Sequence, residues 1–249
     1  MQKYKYEIND QLLHLKEMLL DIKKYFDSST DSIHKARNEI KIINYHNQDL
    51  VIKSFKIPHL FNRIIYTFFR KSKAYKSYHY SLKIGDFTPK PIGYIEFYKS
   101  GLLEQSFFVS QRFDYDFTIR EPLLDSSFAN KEEILRSFAR FTHDLHEAGI
   151  YHQDFSPGNI LIKKIDDKYE FKIVDINRME FRKLCFNLRM KSFSKLWAKD
   201  EDLEIIIKAY SKISGANEEF LVKKAIAYSH SLKFWKNLKK RVKGQKVVD

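Results

Sequence analysis

Tyr151-His152-Gln153-Asp154-Phe155-Ser156-Pro157-Gly158-Asn159-Ile160-Leu161 decides the fold, together with Ile173-Val174-Asp175 a little further along. The stretch follows a strong helical pattern. From Lys131 to Ala148, Ile134, Phe138, Phe141 and Leu145 recur on one stripe, with Asn130 and Glu133 spaced as a capping box and Gly149 as the stop. After it, the runs Asn159 to Lys164 and Tyr169 to Val174 flank an Asp166-Asp167 turn and read as a hairpin. The His-x-Asp-x4-Asn spacing places Asp154 and Asn159 on one tight loop, and the hairpin brings Asp175 back to it. Phosphoryl transfer needs those residue types: one carboxylate to orient an acceptor hydroxyl and take its proton, and oxygen donors for a hard cation. Asp154 suits the first task, Asn159 and Asp175 the second.

Upstream, residues Asp10 to Lys24 read as an amphipathic helix capped by Asn9, with Leu12, Leu15, Leu19 and Ile22 on its buried stripe. Asp27 to Asp31 is turn-rich. Glu39 to Tyr45 and Leu50 to Phe55 are β-rich runs joined by His46-Asn47-Gln48-Asp49, a hairpin pattern. In the second run Val51, Lys53 and Phe55 share one face, so Lys53 is aligned with two apolar residues. Arg70 to Ile84 reads as a helix stopped by Gly85, and Ile92 to Phe97 and Gln105 to Gln111 read as strands. From about Phe186 the chain is helical, with candidates at Glu201 to Ile213 and Glu218 to Lys240. The expected class is α+β: a helical extension at 1–32, a β-rich lobe with one helix at 33–111, and a helical lobe with an embedded hairpin at 112–249.

Composition narrows the function classes. With 43% hydrophobic and 31% charged residues over 249 positions, the chain builds a core and is not disordered. The single cysteine, Cys185, excludes an internal disulfide and suits a reducing cytosol. Met1 to Asp10 is polar and lacks the apolar core of a signal peptide; no apolar run approaches the length of a membrane span. The net charge is +13, and its distribution is uneven: no acidic residue lies between Lys56 and Lys83, or between Lys233 and Lys246. Such surfaces attract phosphate-bearing partners, whether nucleic acid, anionic lipid or a phosphorylated substrate.

The Asp154 loop followed by Asp175 resembles the catalytic loop of the protein-kinase-like enzymes. The resemblance implies a two-lobed fold with a small β-rich N-lobe and a larger helical C-lobe. It implies ATP and Mg2+ as cosubstrates, with Asp154 catalytic and Asn159 and Asp175 holding the metal. Lys53 is then the strand lysine on the nucleotide phosphates. By the same analogy Val51 and Leu161 sandwich adenine, and Ser110, Gln111, Arg112 and Phe113 form the hinge. Ser156, Ile176-Asn177 and the lack of any proline after Pro157 depart from eukaryotic-type protein kinases.

The run Asp154 to Leu161 is instead similar to atypical small-substrate kinases, above all the bacterial lipopolysaccharide kinases that include the ketodeoxyoctonate (Kdo) kinases. Arg37 to Lys41, Lys53 to Pro58, Arg70 to Ala74, Thr88 to Ile92 and Asp175 to Met179 support this. Membership implies a sugar hydroxyl of an anionic glycolipid of the lipid A–Kdo type as acceptor. It also implies a cytoplasmic place, peripheral at the inner face of the membrane, with Lys233 to Lys246 as a lipid contact rather than a nucleic-acid site. Two departures stand out. No glutamate lies between Ile57 and Ile95, where kinases carry the partner of the strand lysine, so either another acid such as Glu39 or Glu96 reaches Lys53 or the nucleotide alone holds it. The segment before Glu39 has no glycine, which leaves Arg37 and Asn38 as side-chain candidates for the phosphates. A soluble-acceptor kinase of the aminoglycoside or choline type, a RIO-like kinase and a nucleotide-binding pseudokinase scaffold are the alternatives.

Overall fold

The computed structural model describes residues 3–30, 32–35, 38–56 and 59–245. The chain divides into two compact units. The first comprises 1–114 with Asp175–Asn177, the second 115–174 with 178–249.

The first unit is built on an antiparallel sheet of six strands in the order β1-β5-β6-β4-β3-β2. These are β1 (Lys3–Ile8), β2 (Ser32–Lys35), β3 (Asn38–Tyr45), β4 (Gln48–Lys56), β5 (Pro91–Lys99) and β6 (Leu102–Gln111). A two-residue turn joins β3 to β4, with His46 and Asn47 both at positive φ, 50° and 60°, the backbone that matches the twist of the flanking strands. One face of the sheet carries Ile43, Leu50, Ile52, Ile95, Phe107 and Val109. Against it pack Leu12, Leu15, Met18, Leu19, Ile22 and Phe26. Each of these buried side chains removes apolar surface worth about 1.5–3 kcal/mol.

The expected helix over Asp10 to Lys24 is divided into a 3-10 turn (Asp10–Leu15), α1 (Lys16–Leu20) and α2 (Ile22–Ser28). Leu12 leaves helical geometry at φ −128°, yet the predicted stripe of Leu12, Leu15, Leu19 and Ile22 is buried. The side chain of Asn9 caps the turn by accepting from the Gln11 amide. Residues 1–32 are therefore not an appended helical extension. Residues 3–30 supply a sheet strand, β1, and six of the fourteen buried side chains of that core. Lys41 closes the end of α2 from within, donating from its buried amine to the Phe26 and Ser29 carbonyls at 2.7 Å each.

On the other face of the sheet, Phe55 and Tyr94 pack with Ala74 and Tyr78 of α4 (Lys73–Ile84). Ser72 caps α4 through the Tyr75 amide, so the helix begins after Arg70; Gly85 at φ 55° ends it. Before it, the residues Leu60–Phe69 form α3 (Leu60–Ile64) and one π-helical turn (Ile65–Phe69).

The second unit contains β7 (Phe117–Thr118), α5 (Arg120–Leu124), α6 (Lys131–Glu147), β8 (Ile150–His152), β9 (Ile160–Ile165), β10 (Lys168–Ile173), β11 (Met179–Phe181), α7 (Phe186–Phe193), α8 (Asp200–Ser214) and α9 (Glu218–Val242). The capping box expected at Asn130 does not form. Asn130 is left-handed, φ 56°, and its side chain makes no bond to the first turn of α6. The stripe of α6 is as expected: Phe138 stacks on Phe155 and Phe141 on Phe171, with centroids 5.7 and 5.2 Å apart. At the far end of α6 a buried circuit runs from Arg189 to the Tyr210 hydroxyl (3.2 Å), on to His146 Nδ1 (3.2 Å), from His146 Nε2 to Ser192 (3.2 Å), and from Ser192 back to the Arg189 carbonyl (2.6 Å). No described helix is long and apolar enough to cross a membrane.

Candidate active site

In the second unit the loop leaves β8 at His152 and tightens into a 3-10 turn at Pro157–Asn159. Its shape is fixed by hydrogen bonds within it. The Ser156 amide donates to the Asp154 carbonyl (2.8 Å) and the Asn159 amide to the Ser156 carbonyl (2.9 Å). The Asn159 side-chain NH2 also donates to the Asp154 carbonyl, at 2.9 Å. That bond uses the side chain's nitrogen; its oxygen, Oδ1, is the acceptor atom of the amide.

His152 is buried, 2% exposed. Its Nε2 faces the Val174 carbonyl at 3.0 Å, and a carbonyl only accepts, so the proton sits on Nε2. Nδ1 then accepts the Asp154 amide at 3.0 Å. The ring thus clamps the residue before Asp175 to the residue that carries the candidate base. The Val174 amide donates to the Asn159 carbonyl at 2.9 Å, a second tie between hairpin end and loop. Asp154 itself stays 41% exposed, with the Arg178 guanidinium 3.9 Å away.

In the first unit Lys53 and Asp175 meet. Lys53 Nζ lies 2.5 Å from Asp175 Oδ1, with the lysine side chain 14% exposed, and the Asn177 side chain donates to the same oxygen at 2.7 Å. Lys53 projects from β4 on the face that carries Phe55, and its amine lies 5.4 Å from that ring. Asp175 holds φ 58°, a left-handed backbone that costs a non-glycine residue about 1 kcal/mol or more. Such strain persists where the surroundings fix it. Here the clamp on Val174, the Lys53 amine and the Asn177 amide do so.

Neither substitute glutamate takes up Lys53. Glu39 stands 3.9 Å from Lys41, and Glu96 accepts the Tyr98 hydroxyl at 2.6 Å. The carboxylate on the lysine is Asp175. At the place on α4 where a kinase glutamate is expected, His79 instead lies 3.3 Å from Glu7 of β1, whose other oxygen accepts the Tyr94 hydroxyl. Burial, then the Glu7 charge, pushes the Tyr78 hydroxyl up to about 12.

The remaining candidates are placed as follows. Val51 pairs with Ser110 in the sheet, and Leu161 pairs with Thr118 and Lys172 in the second unit. The Gln111 amide donates to the Lys90 carbonyl and the Arg112 amide to the Asp49 carbonyl, both at 2.9 Å. The Arg112 guanidinium reaches the Asp49 carboxylate at 3.0 Å. Both N–H groups are thus bonded within the first unit; Ser110 is buried on β6 and Phe113 follows the strand. Asn38 lies on β3 opposite Phe55, with its side-chain oxygen buried. Arg37 lies outside the described residues.

Arg120 was not signalled by any motif. Its guanidinium covers Gly158, where a Cβ would come 2.5 Å from Nη2, so the loop glycine is needed for this approach. Arg178, beside Asp154, is the other cation that pattern reading gave no role.

The family model described as the lipopolysaccharide kinase (Kdo/WaaP) family matches residues 67–223, which takes in Asp154, Asn159 and Asp175 and begins after Lys53. Among solved structures, one of WaaP in complex with acyl carrier protein is similar over 92% of this chain and 99% of that chain, with a TM-score of 0.61 and 14% identity. No curated protein matched the chain in sequence. The structural likeness carries the two-lobed, protein-kinase-like fold, and the family model, spanning more than half the chain with the braced Asp154 loop inside it, carries the enzyme class: this chain is a kinase that belongs to the lipopolysaccharide kinase (Kdo/WaaP) family.

Proposed function

We propose that the chain transfers the terminal phosphate of ATP to a sugar hydroxyl of lipopolysaccharide, Kdo or another inner-core sugar. The observation that carries the reading is the Lys53–Asp175 pair at 2.5 Å: residues 122 positions apart are held together as phosphate and metal ligands would be. Asp154 accepts the proton of the acceptor hydroxyl while that oxygen bonds to phosphorus; the bond to the ADP oxygen breaks and ADP leaves with the electron pair. Lys53 offsets charge on the phosphates, and the His152 clamp holds Asp154 in place.

Asn159 Oδ1 and the Asp175 carboxylate would hold Mg2+, which draws charge from the phosphates. Hard oxygen donors suit it, and a cation that arrives on a triphosphate needs only one or two protein ligands. Among the described residues no cluster of three or more His, Cys, Asp or Glu offers a metal site of another kind. Val51 and Leu161 are proposed for adenine, with Ser110, Gln111, Arg112 and Phe113 as the hinge.

An anionic glycolipid acceptor gives the basic end of α9 a task. Lys236, Lys239, Lys240, Arg241 and Lys243 alternate with exposed Phe234, Trp235, Leu238 and Val242, a composition suited to the cytoplasmic face of an anionic membrane. Lys233 is tied to the Ala198 carbonyl instead, and Lys246 lies outside the described residues.

Transfer of labelled phosphate from ATP to lipid A–Kdo extract tests the reading. Asp154→Asn and Asp175→Asn are expected to lower turnover by about 10³-fold or more, and Lys53→Met by about 10²-fold. Label appearing on an aminoglycoside or on RNA, and not on the glycolipid, would replace the acceptor class. A wild-type protein that binds Mg-ATP but never turns it over would make the chain a scaffold.

A further inference from the structure

Leu60–Phe69 inverts the usual arrangement of a surface helix. An amphipathic helix buries its apolar stripe and shows its polar one. Here no residue of α3 or of the π turn is buried. The polar side chains fasten the segment to the end of the β5–β6 hairpin. Arg63 donates to the Leu103 carbonyl at 3.1 Å and the Lys99 carbonyl at 3.2 Å. Thr67 donates to the Arg63 carbonyl at 2.7 Å and accepts the Leu103 amide at 2.8 Å. Most of the apolar side chains face outward, with Ile65 and Tyr66 half-buried: Leu60, Phe61, Phe68 and Phe69 are 62%, 73%, 68% and 79% exposed.

A helix pinned by its polar side with its aromatic side free is built to present that side. Large contiguous apolar patches on a protein surface mark contact sites. The surrounding charge states the partner's sign. Arg70, Lys71, Lys73 and Lys76 follow directly, and no acidic residue occurs from Lys56 to Lys83. Phenylalanines interleaved with cations match the boundary of an anionic bilayer, where acyl chains take the rings and headgroup phosphates take the Lys and Arg side chains.

We infer that residues 59–71 form a lipid-contacting element that lays Phe61, Phe68 and Phe69 into the surface of an anionic membrane. The element belongs to the first unit and is separate from the basic end of α9. It does not depend on the acceptor, since partition into lipid is read without turnover.

The experiment is cosedimentation of the full chain with vesicles of phosphatidylethanolamine and phosphatidylglycerol, and with neutral phosphatidylcholine vesicles. Hydrogen exchange is followed on the bound protein. The Phe61→Ser/Phe68→Ser/Phe69→Ser variant is expected to lower partition into the anionic vesicles by about tenfold or more. Its Mg-ATP thermal shift, which reports fold and nucleotide site, is expected to match wild type. Wild-type amides over 59–71 are expected to gain protection on binding, and Arg70→Gln/Lys71→Gln to lose part of the salt-dependent partition. Wild-type partition of the serine variant, unprotected amides over 59–71, or binding of the segment to an acidic protein in preference to these vesicles would each overturn the inference.

Discussion

His146 and His152 are both buried, and their neighbours set them to different tasks. His152 is a two-sided clamp within a recognisable motif. His146 belongs to the circuit through Tyr210, Ser192 and Arg189, and burial, then the charges of Arg189 and His143, push it down to about 3. Between pH 3 and the ordinary imidazole range near 6.5, the unfolded chain binds a proton that the folded chain refuses. Stability therefore rises with pH across this window and is lost as pH falls through it, by at most about 1.4 kcal/mol per unit from this one group. Urea unfolding measured from pH 4 to pH 7 is expected to show that slope, and His146→Gln to flatten it while lowering stability at pH 7. An unchanged slope in the variant would mean that His146 is not the group concerned. At this scale the sequence is legible where spacing carries chemistry, as at Asp154, Asn159 and Asp175. It is silent on Arg120 and on His146, whose partners are brought in from elsewhere in the fold.

Strands with a buried alternating face were readable, and β3, β4, β9 and β10 lie within a residue or two of their expected bounds. β1 was not, because Lys-Tyr-Lys-Tyr-Glu-Ile alternates polar with amphipathic residues and looks like a charged terminus. Its place is set by Gly93 on β5. A Cβ there would come 2.6 Å from the Glu7 carbonyl oxygen and 2.8 Å from a Leu19 methyl. Gly93→Ala is expected to cost about 1–3 kcal/mol by forcing β1 and α1 off the sheet. The Tm in a calorimeter checks this, and a variant as stable as wild type would show that the strand edge yields freely. The glutamate missing from α4 belongs to the same scale. Its absence was visible in the sequence, but the pairing of Lys53 with Asp175 was not, since the two lie 122 positions apart.

Across the molecule, the order of a β-rich front and a helical rear was legible from periodicity alone. The division into units was less so. The chain passes from the first unit to the second between Asp114 and Tyr115, and Asp175–Asn177 return to the first. Three residues in a loop leave no composition signal. The role of 1–32 was missed for a related reason: a stripe of leucines shows that a helix is buried, not which surface buries it. Those leucines cover one face of the sheet, so a chain shortened to residues 30–249 is expected to expose Ile43, Leu50, Ile52, Phe107 and Val109 together and to aggregate. Size-exclusion chromatography of the shortened chain checks the point; a monodisperse, cooperatively folding product would show the covering to be dispensable.

The contact between Lys53 and Asp175 also makes that corner of the protein electrically neutral. On the proposed reading a triphosphate would gain the full use of the ammonium group only when the carboxylate lets go of it, and a divalent cation would gain the carboxylate only on the same occasion. On the proposed reading each ligand therefore lowers the threshold for the other, and by the reciprocity of linked equilibria their affinities rise in equal measure. Bare nucleotide and bare metal would both be turned away by a pair already satisfied with itself.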